Sequence, residues 1–258
     1  MKILLPPSEG KAPSPGRGSA VKLSSLSLPE LTATRSELIT ALTKLCQGPR
    51  AKAVSTLGLT PGLASEVEKN AQLLTAPAIA AGSLYSGVLY EALDLASLST
   101  KAASRAENEL VIFSALFGAV HINDRIPSYR LSPATKLPKL GTLAAQWKAP
   151  LLEAMEREVD TQVVLDLRSG PYAALWKPTG AMAQRTVAVR VLHETAPGKR
   201  TIVSHFNKAT KGRIVADLLK QRSSPNSVEA LASALAKAGW DVESDDSGLK
   251  LDVIVHQL

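Results

Sequence analysis

The sequence predicts a single α/β domain built on a mixed β-sheet flanked by helices, with a helical subregion over about residues 28–100. Three observations carry that prediction. Short apolar runs of strand length, at residues 2–5, 110–113 and 162–167, alternate with longer segments whose apolar residues recur at helical spacing. Each of those runs ends in a polar stretch containing glycine or proline, as strands do where they leave a sheet. The chain has 258 residues of which 45% are hydrophobic, enough to bury one substantial core without disulfides.

Taken in order, the run at residues 2–5 is a first strand stopped by Pro6-Pro7, followed by a loop, Ser8-Glu9-Gly10-Lys11. Residues 12–18 are rich in Pro and Gly and read as exposed. A helix capped at Thr34 or Ser36 follows, with Leu38, Ile39, Leu42 and Leu45 on one face and Gly48-Pro49 at its end. Residues 51–57 and 64–73 form a helical pair joined by Gly58-Leu59-Thr60-Pro61-Gly62. A pair around such a turn, over about residues 51–74, is either a helix-hairpin-helix unit that offers amides to a phosphate backbone or a plain αα-hairpin. Residues 83–95 make a further helix with Tyr85 and Tyr90 turned towards the core.

The run at residues 110–113 leads into FGAVHINDRIPSYRL, where Gly118 and Pro127 oppose helix and favour an ordered loop. Leu143, Trp147, Leu151, Leu152 and Met155 define a helix over residues 143–159 with Pro150 as a kink or break. A third strand over residues 162–167 ends in Arg168-Ser169-Gly170-Pro171-Tyr172. Strands at 186–192 and 201–206, a helix beginning near Asn207, a helix over 227–238 and a strand over 249–255 complete the chain.

Composition narrows the function. A formal charge of +7 and a pI near 9.5 favour polyanionic partners. Residues 125–148 hold Arg125, Arg130, Lys136, Lys139 and Lys148 with no carboxylate, residues 193–222 are also basic, and residues 241–252 are acidic. The single cysteine, Cys46, excludes an internal disulfide, and no disulfide-linked partner is expected. No apolar run is long enough to span a bilayer and the amino terminus lacks a signal-peptide pattern, so a soluble, unprocessed, cytoplasmic protein without a membrane partner is expected. Few aromatic residues, 4% of the chain, argue against a single-strand binder built on stacking platforms.

Four polar clusters carry the possible chemistry. If their strands were parallel, the loop at 8–11, the loop at 121–130 and the loop at 168–172 would meet at one sheet edge with the helix start at 207–213. Lys11, Arg125, Tyr129, Arg130, Lys208, Lys211 and Arg213 are the candidate DNA- or phosphate-binding residues. Ser8, Arg168, Ser169, Tyr172, His205 and Asn207 are the candidates for a pocket beside them. Each has an ordinary reading too, as a solvated helix face or a loop-pinning side chain. No nucleophile elbow, Walker loop, dinucleotide fingerprint or metal-spaced histidine pair is present, so no catalytic residue, metal site or cofactor is assigned and enzymatic activity stays open.

The motifs KILLPPSEGK, SLYSGVLYEAL, SALFGAVHINDRIPSYRL, QWKAPLLEAM, VVLDLRSGPYAALWKP and SHFNKATKGRIVADLL, in this order over the full length, resemble the YaaA peroxide-stress proteins. The matching positions include Gly118, Tyr129, Arg130, Leu131, Tyr172, Lys177-Pro178, Ser204, Lys208, Lys211 and Gly212. The resemblance implies the one-domain α/β arrangement described as a cantaloupe fold, with a helix-hairpin-helix element and a positively charged cleft. It further implies duplex DNA as partner and protection against hydrogen peroxide by limiting unincorporated iron. The Pro-Pro-Ser-Glu-Gly-Lys opening departs from the Ser-Pro-Ala-Lys run of the enterobacterial branch, and His205 and Asn207 replace other residues there. An enzyme or binding protein for a small phosphorylated or nucleotide-like ligand in the same cleft is the alternative.

Overall fold

The computed structural model describes residues 1–13, 15–196, 198–202 and 204–256, and the side chains of Ser204 and His205 lie outside that description. The strands are β1 (Lys2–Leu5), β2 (Ala78–Ala80), β3 (Leu110–Ser114), β4 (Gly118–His121), β5 (Arg125–Pro127), β6 (Lys136–Leu137), β7 (Gly141–Thr142), β8 (Val164–Asp166), β9 (Thr186–Ala196), β10 (Lys199–Thr201), β11 (Asp241–Ser244) and β12 (Lys250–Val255). The helices are α1 (Thr32–Cys46), α2 (Arg50–Leu57), α3 (Glu66–Ala71), α4 (Ala81–Leu84), α5 (Val88–Leu93), α6 (Thr100–Glu109), α7 (Leu143–Val159), α8 (Gly170–Ala173), α9 (Gly180–Ala183), α10 (Ser204–Lys220) and α11 (Val228–Lys237).

One mixed sheet organises them into a single α/β domain. Strands β12, β9, β8, β1 and β3 run parallel in that order, with β11 and β4 antiparallel at the edges and β10 folded back on β9. Ile3, Leu4, Leu5, Val111, Ile112, Phe113, Val164 and Leu165 are fully buried, which is why these strands read as continuous apolar runs. Each such side chain contributes about 1.5–3 kcal/mol by leaving water.

Two glycines set close approaches. Gly212 brings α10 against α5 so closely that a Cβ there would stand 2.2 Å from the Leu89 carbonyl oxygen. Gly118, at φ +74°, opens β4 beneath Trp147, whose ring a Cβ would meet at 2.7 Å. Arg35, fully buried on α1, pins the turn between β3 and β4 by donating to the Phe117 and Ala119 carbonyls at 3.0 and 2.7 Å.

Several local expectations are corrected. α1 starts at Thr32, and Thr34 is a buried residue inside it rather than its cap. Residues 83–95 split into α4 and α5 because Gly87, at φ +95°, interrupts the helix. α7 runs unbroken through Pro150, held by buried Trp147 and Leu151, while Leu152 is exposed. The strand expected over 201–206 ends at Thr201, and α10 begins at Ser204, ahead of Asn207. β11 is an addition, hidden in the sequence by its acidic residues. The largest correction concerns the second loop. The chain turns after Ser114 and returns antiparallel as β4, so His121 pairs with Val111 at the opposite end of the sheet. There its Nε2 lies 2.9 Å from Glu158, which also meets the Lys2 ammonium at 2.5 Å.

Candidate functional site

The connection after β1 leads to β3 on one side, whereas the connection after β8 leads to β9 on the other. β1 and β8 are neighbours, so the crevice between their carboxyl ends is the switch point at which open α/β sheets bind ligands. The loop at 6–11 leaves β1 here and Arg168-Ser169 leaves β8.

Lys11 is the central group. Its backbone forms an antiparallel bridge with Tyr85, which puts the two side chains on one face. The Nζ lies 4.5 Å from the centre of the Tyr129 ring and 5.7 Å from that of Tyr85, and donates to the Ser8 carbonyl at 3.3 Å. Burial, with Arg130 repulsion added, lowers its pKa to about 8.

Tyr85 and Tyr129 flank it, and the other two tyrosines of the chain, Tyr90 and Tyr172, lie close to those two. Ser114 Oγ, at the end of β3, accepts from the Leu116 and Phe117 amides at 3.2 and 2.9 Å. With both lone pairs engaged, its hydrogen goes to Tyr129 Oη at 2.6 Å, and the Tyr129 and Tyr85 hydroxyls share a 2.9 Å hydrogen bond in which either can donate. One phenol hydrogen of this pair is left over. Tyr90 stacks on Tyr85 at 5.7 Å and donates to the Pro6 carbonyl at 2.8 Å. Burial pushes the phenols of Tyr85, Tyr90, Tyr129 and Tyr172 upward, which keeps them protonated donors.

At the rim, Arg130 meets Glu9 at 3.0 Å. Asn70 of α3 holds the Arg130 backbone from both sides, and Glu66 and Lys69 of the same helix are close enough to bias the Lys11 amine. Lys211 buries its amine against the Leu167 carbonyl at 3.2 Å, and that burial lowers its pKa. Lys208 and Arg213 stand exposed on the same helix, and Asn207 is half-buried on its first turns.

Of the remaining candidates, Ser8, Arg168 and Arg125 make local hydrogen bonds. Ser8 donates to the Gly10 carbonyl and accepts from the Ser86 amide, closing its own loop. Arg168 is a structural pin: it pairs with both Asp166 oxygens, donates to the Trp176 carbonyl at 3.0 Å and stacks 4.2 Å over the Phe113 ring. Ser169 is exposed at the start of α8. Arg125 sits on β5 and donates to the Ala78 carbonyl at 2.6 Å, in the small sheet with β2. The His205 side chain lies outside the described residues. A shallow cleft of about 440 Å3 runs from Tyr85 and Tyr90 past Glu91 and Asp94, whose carboxylates make it unsuited to phosphate. Among the described residues no group of three His, Cys, Asp or Glu side chains is placed to hold a metal ion, and no helix is long and apolar enough to cross a membrane.

The family described as peroxide stress protein YaaA matches residues 1–246. The chain belongs to this family. A UPF0246 protein of Streptomyces coelicolor is 52% identical over 263 residues, with both chains covered in full. A UPF0246 protein of Corynebacterium glutamicum is 40% identical over 250 residues, 95% of this chain and 96% of that one. An uncharacterized protein of Campylobacter jejuni is 28% identical over 197 residues, about three quarters of each chain. The motifs that resemble the YaaA family supply Lys11, Tyr85, Tyr90, Ser114, Tyr129, Arg130, Tyr172 and Lys211, so they converge on this sheet edge. Tyr85 and Tyr90 are buried in the core, as the sequence indicates, whereas Ser114 and Asn70 are not among the residues that the sequence singles out. The position of Ser114 directly after an apolar strand was the available signal.

Proposed function

We propose that this YaaA-family chain serves the peroxide-stress response by holding the phosphate backbone of duplex DNA along the basic rim of this cleft. The supporting observation is the double hydrogen bond between Asn70 and Arg130, which ties the α2–α3 pair to the cleft rim. The turn at Gly58, Thr60, Pro61 and Gly62 is exposed, as a helix-hairpin-helix contact requires, and lies on the element so anchored. Exposed Lys208 and Arg213 add charges suited to phosphates, whereas Arg200 is neutralised by Glu194 and Glu243. In the cell this binding would accompany limitation of unincorporated iron, with the protein in the cytoplasm.

The test is fluorescence anisotropy of a labelled duplex across a salt series. Affinity falls linearly in log salt, and the Lys208→Ala/Arg213→Ala variant shows a slope shallower by about one for each phosphate it no longer neutralises. A protein that ignores duplex even at low salt overturns the reading. A small phosphorylated ligand is the second reading, favoured by the burial of the Lys11 and Lys211 amines, because buried cations suit a compact anion better than a long duplex.

A further inference from the structure

We propose that Lys11 is a nucleophilic amine that condenses with the aldehyde or ketone group of a small anionic metabolite, with Tyr85 as the hydrogen-bond donor to the carbonyl oxygen. This goes beyond the DNA reading and does not depend on it.

The geometry has three parts. First, the Lys11 amine meets no carboxylate within ion-pair distance among the described residues, and its hydrogen-bond partner is one backbone carbonyl at 3.3 Å. Lys2, by contrast, is paired with Glu158. Second, the Ser114–Tyr129–Tyr85 chain leaves one unspent O–H on the tyrosine pair whose rings flank the Lys11 amine, and Tyr85 is the member bridged to Lys11. A phenol O–H so left over can donate to a carbonyl oxygen as it gains negative charge during attack. Third, Lys11 keeps partial exposure at a sheet switch point, and Arg130 is close enough to act on its amine, which favours a ligand with a phosphate or carboxylate.

Burial then makes the chemistry accessible near neutrality. With the pKa lowered to about 8, roughly one amine in ten is neutral at pH 7, roughly 300-fold more than for an ordinary lysine. The neutral nitrogen forms a bond to the carbonyl carbon while the C=O π pair moves to oxygen, steadied by the Tyr85 O–H. Transfer of a proton from nitrogen to that oxygen gives a carbinolamine. Its C–O bond breaks with a second proton, water leaves, and a protonated C=N bond joins Lys11 to the ligand. No redox step is involved.

Incubation of the full chain with glycolaldehyde phosphate and sodium cyanoborohydride, which delivers hydride to a protonated imine, would fix the adduct for peptide mapping. Lys11 should be labelled at least tenfold faster than exposed Lys208, with the rate reaching half its maximum near pH 8. Tyr85→Phe should slow labelling several-fold while circular dichroism stays unchanged. Inorganic phosphate should compete, and propionaldehyde should react more slowly than the phosphorylated aldehyde. Labelling spread over the lysines according to exposure, or a Lys11 rate indifferent to phosphate, would overturn the proposal. The wild-type comparison of Lys11 with Lys208 decides the matter even where a variant misfolds. No nucleic acid is present, so a negative result leaves duplex binding to its own test.

Discussion

Asn70 grips the backbone of Arg130 with both ends of its amide: Nδ2 donates to the carbonyl oxygen at 2.8 Å while the Arg130 N–H donates to Oδ1 at 2.9 Å. Asn70 is fully buried, so Asn70→Ala strands two backbone groups away from protein partners. The cost should be about 2–4 kcal/mol, read as a lower urea midpoint. Duplex affinity should fall together with stability, because the same clamp holds α3 against the cleft.

Gly212→Ala should be among the most damaging single-methyl additions in the chain. The new Cβ would stand 2.2 Å from the Leu89 oxygen and 2.9 Å from both Ala92 Cβ and the Leu93 nitrogen, so α5 and α10 must separate. A loss of about 3 kcal/mol is expected in thermal or urea unfolding. Gly62→Ala is the control: no atom lies within 4 Å of its Cβ, and the change should be within about 0.5 kcal/mol of wild type.

Lys11 has a pH signature independent of any ligand. Its folded pKa of about 8 lies below the ordinary 10.5, so between these values the unfolded chain holds a proton that the folded chain has released. Stability from this site therefore rises with pH across that window. Lys11→Met removes the titration, and its unfolding free energy should lack the rise that wild type shows there. Parallel pH curves for the two proteins would refute it.

Arg168→Lys should fail despite keeping the charge. The guanidinium spans both Asp166 oxygens and the Trp176 carbonyl while lying flat on Phe113, and an ammonium reproduces only part of that pattern. A destabilisation of about 2–4 kcal/mol is expected, with loss of the near-ultraviolet signal of Trp176.

Strands buried on both faces were legible because full burial demands unbroken apolar runs, as in Leu110–Phe113. β11 was not, since it is an edge strand whose alternating Asp241 and Glu243 can face water. Pro150 misled for a related reason: local propensity opposes helix there, but the packing of Trp147 and Leu151 outweighs it. Among the site residues, Lys11, Tyr129, Arg130 and Lys211 were marked by residue type next to a strand or helix end. Arg168 carries the same signal yet serves structure, because the sequence does not reveal that Asp166 folds back onto it at 2.7 Å.

By itself the sequence determined the α/β class, the family and the loops in which polar chemistry is concentrated, since hydrophobic period and turn residues act over a few neighbours. Only the tertiary structure decided that β1 and β8 are adjacent and diverge, that His121 belongs to the far end of the sheet, and that Tyr85 and Tyr129, from separate segments, flank Lys11. Those outcomes depend on strand order and on which groups lose water together, and both are set by contacts between residues far apart in the chain.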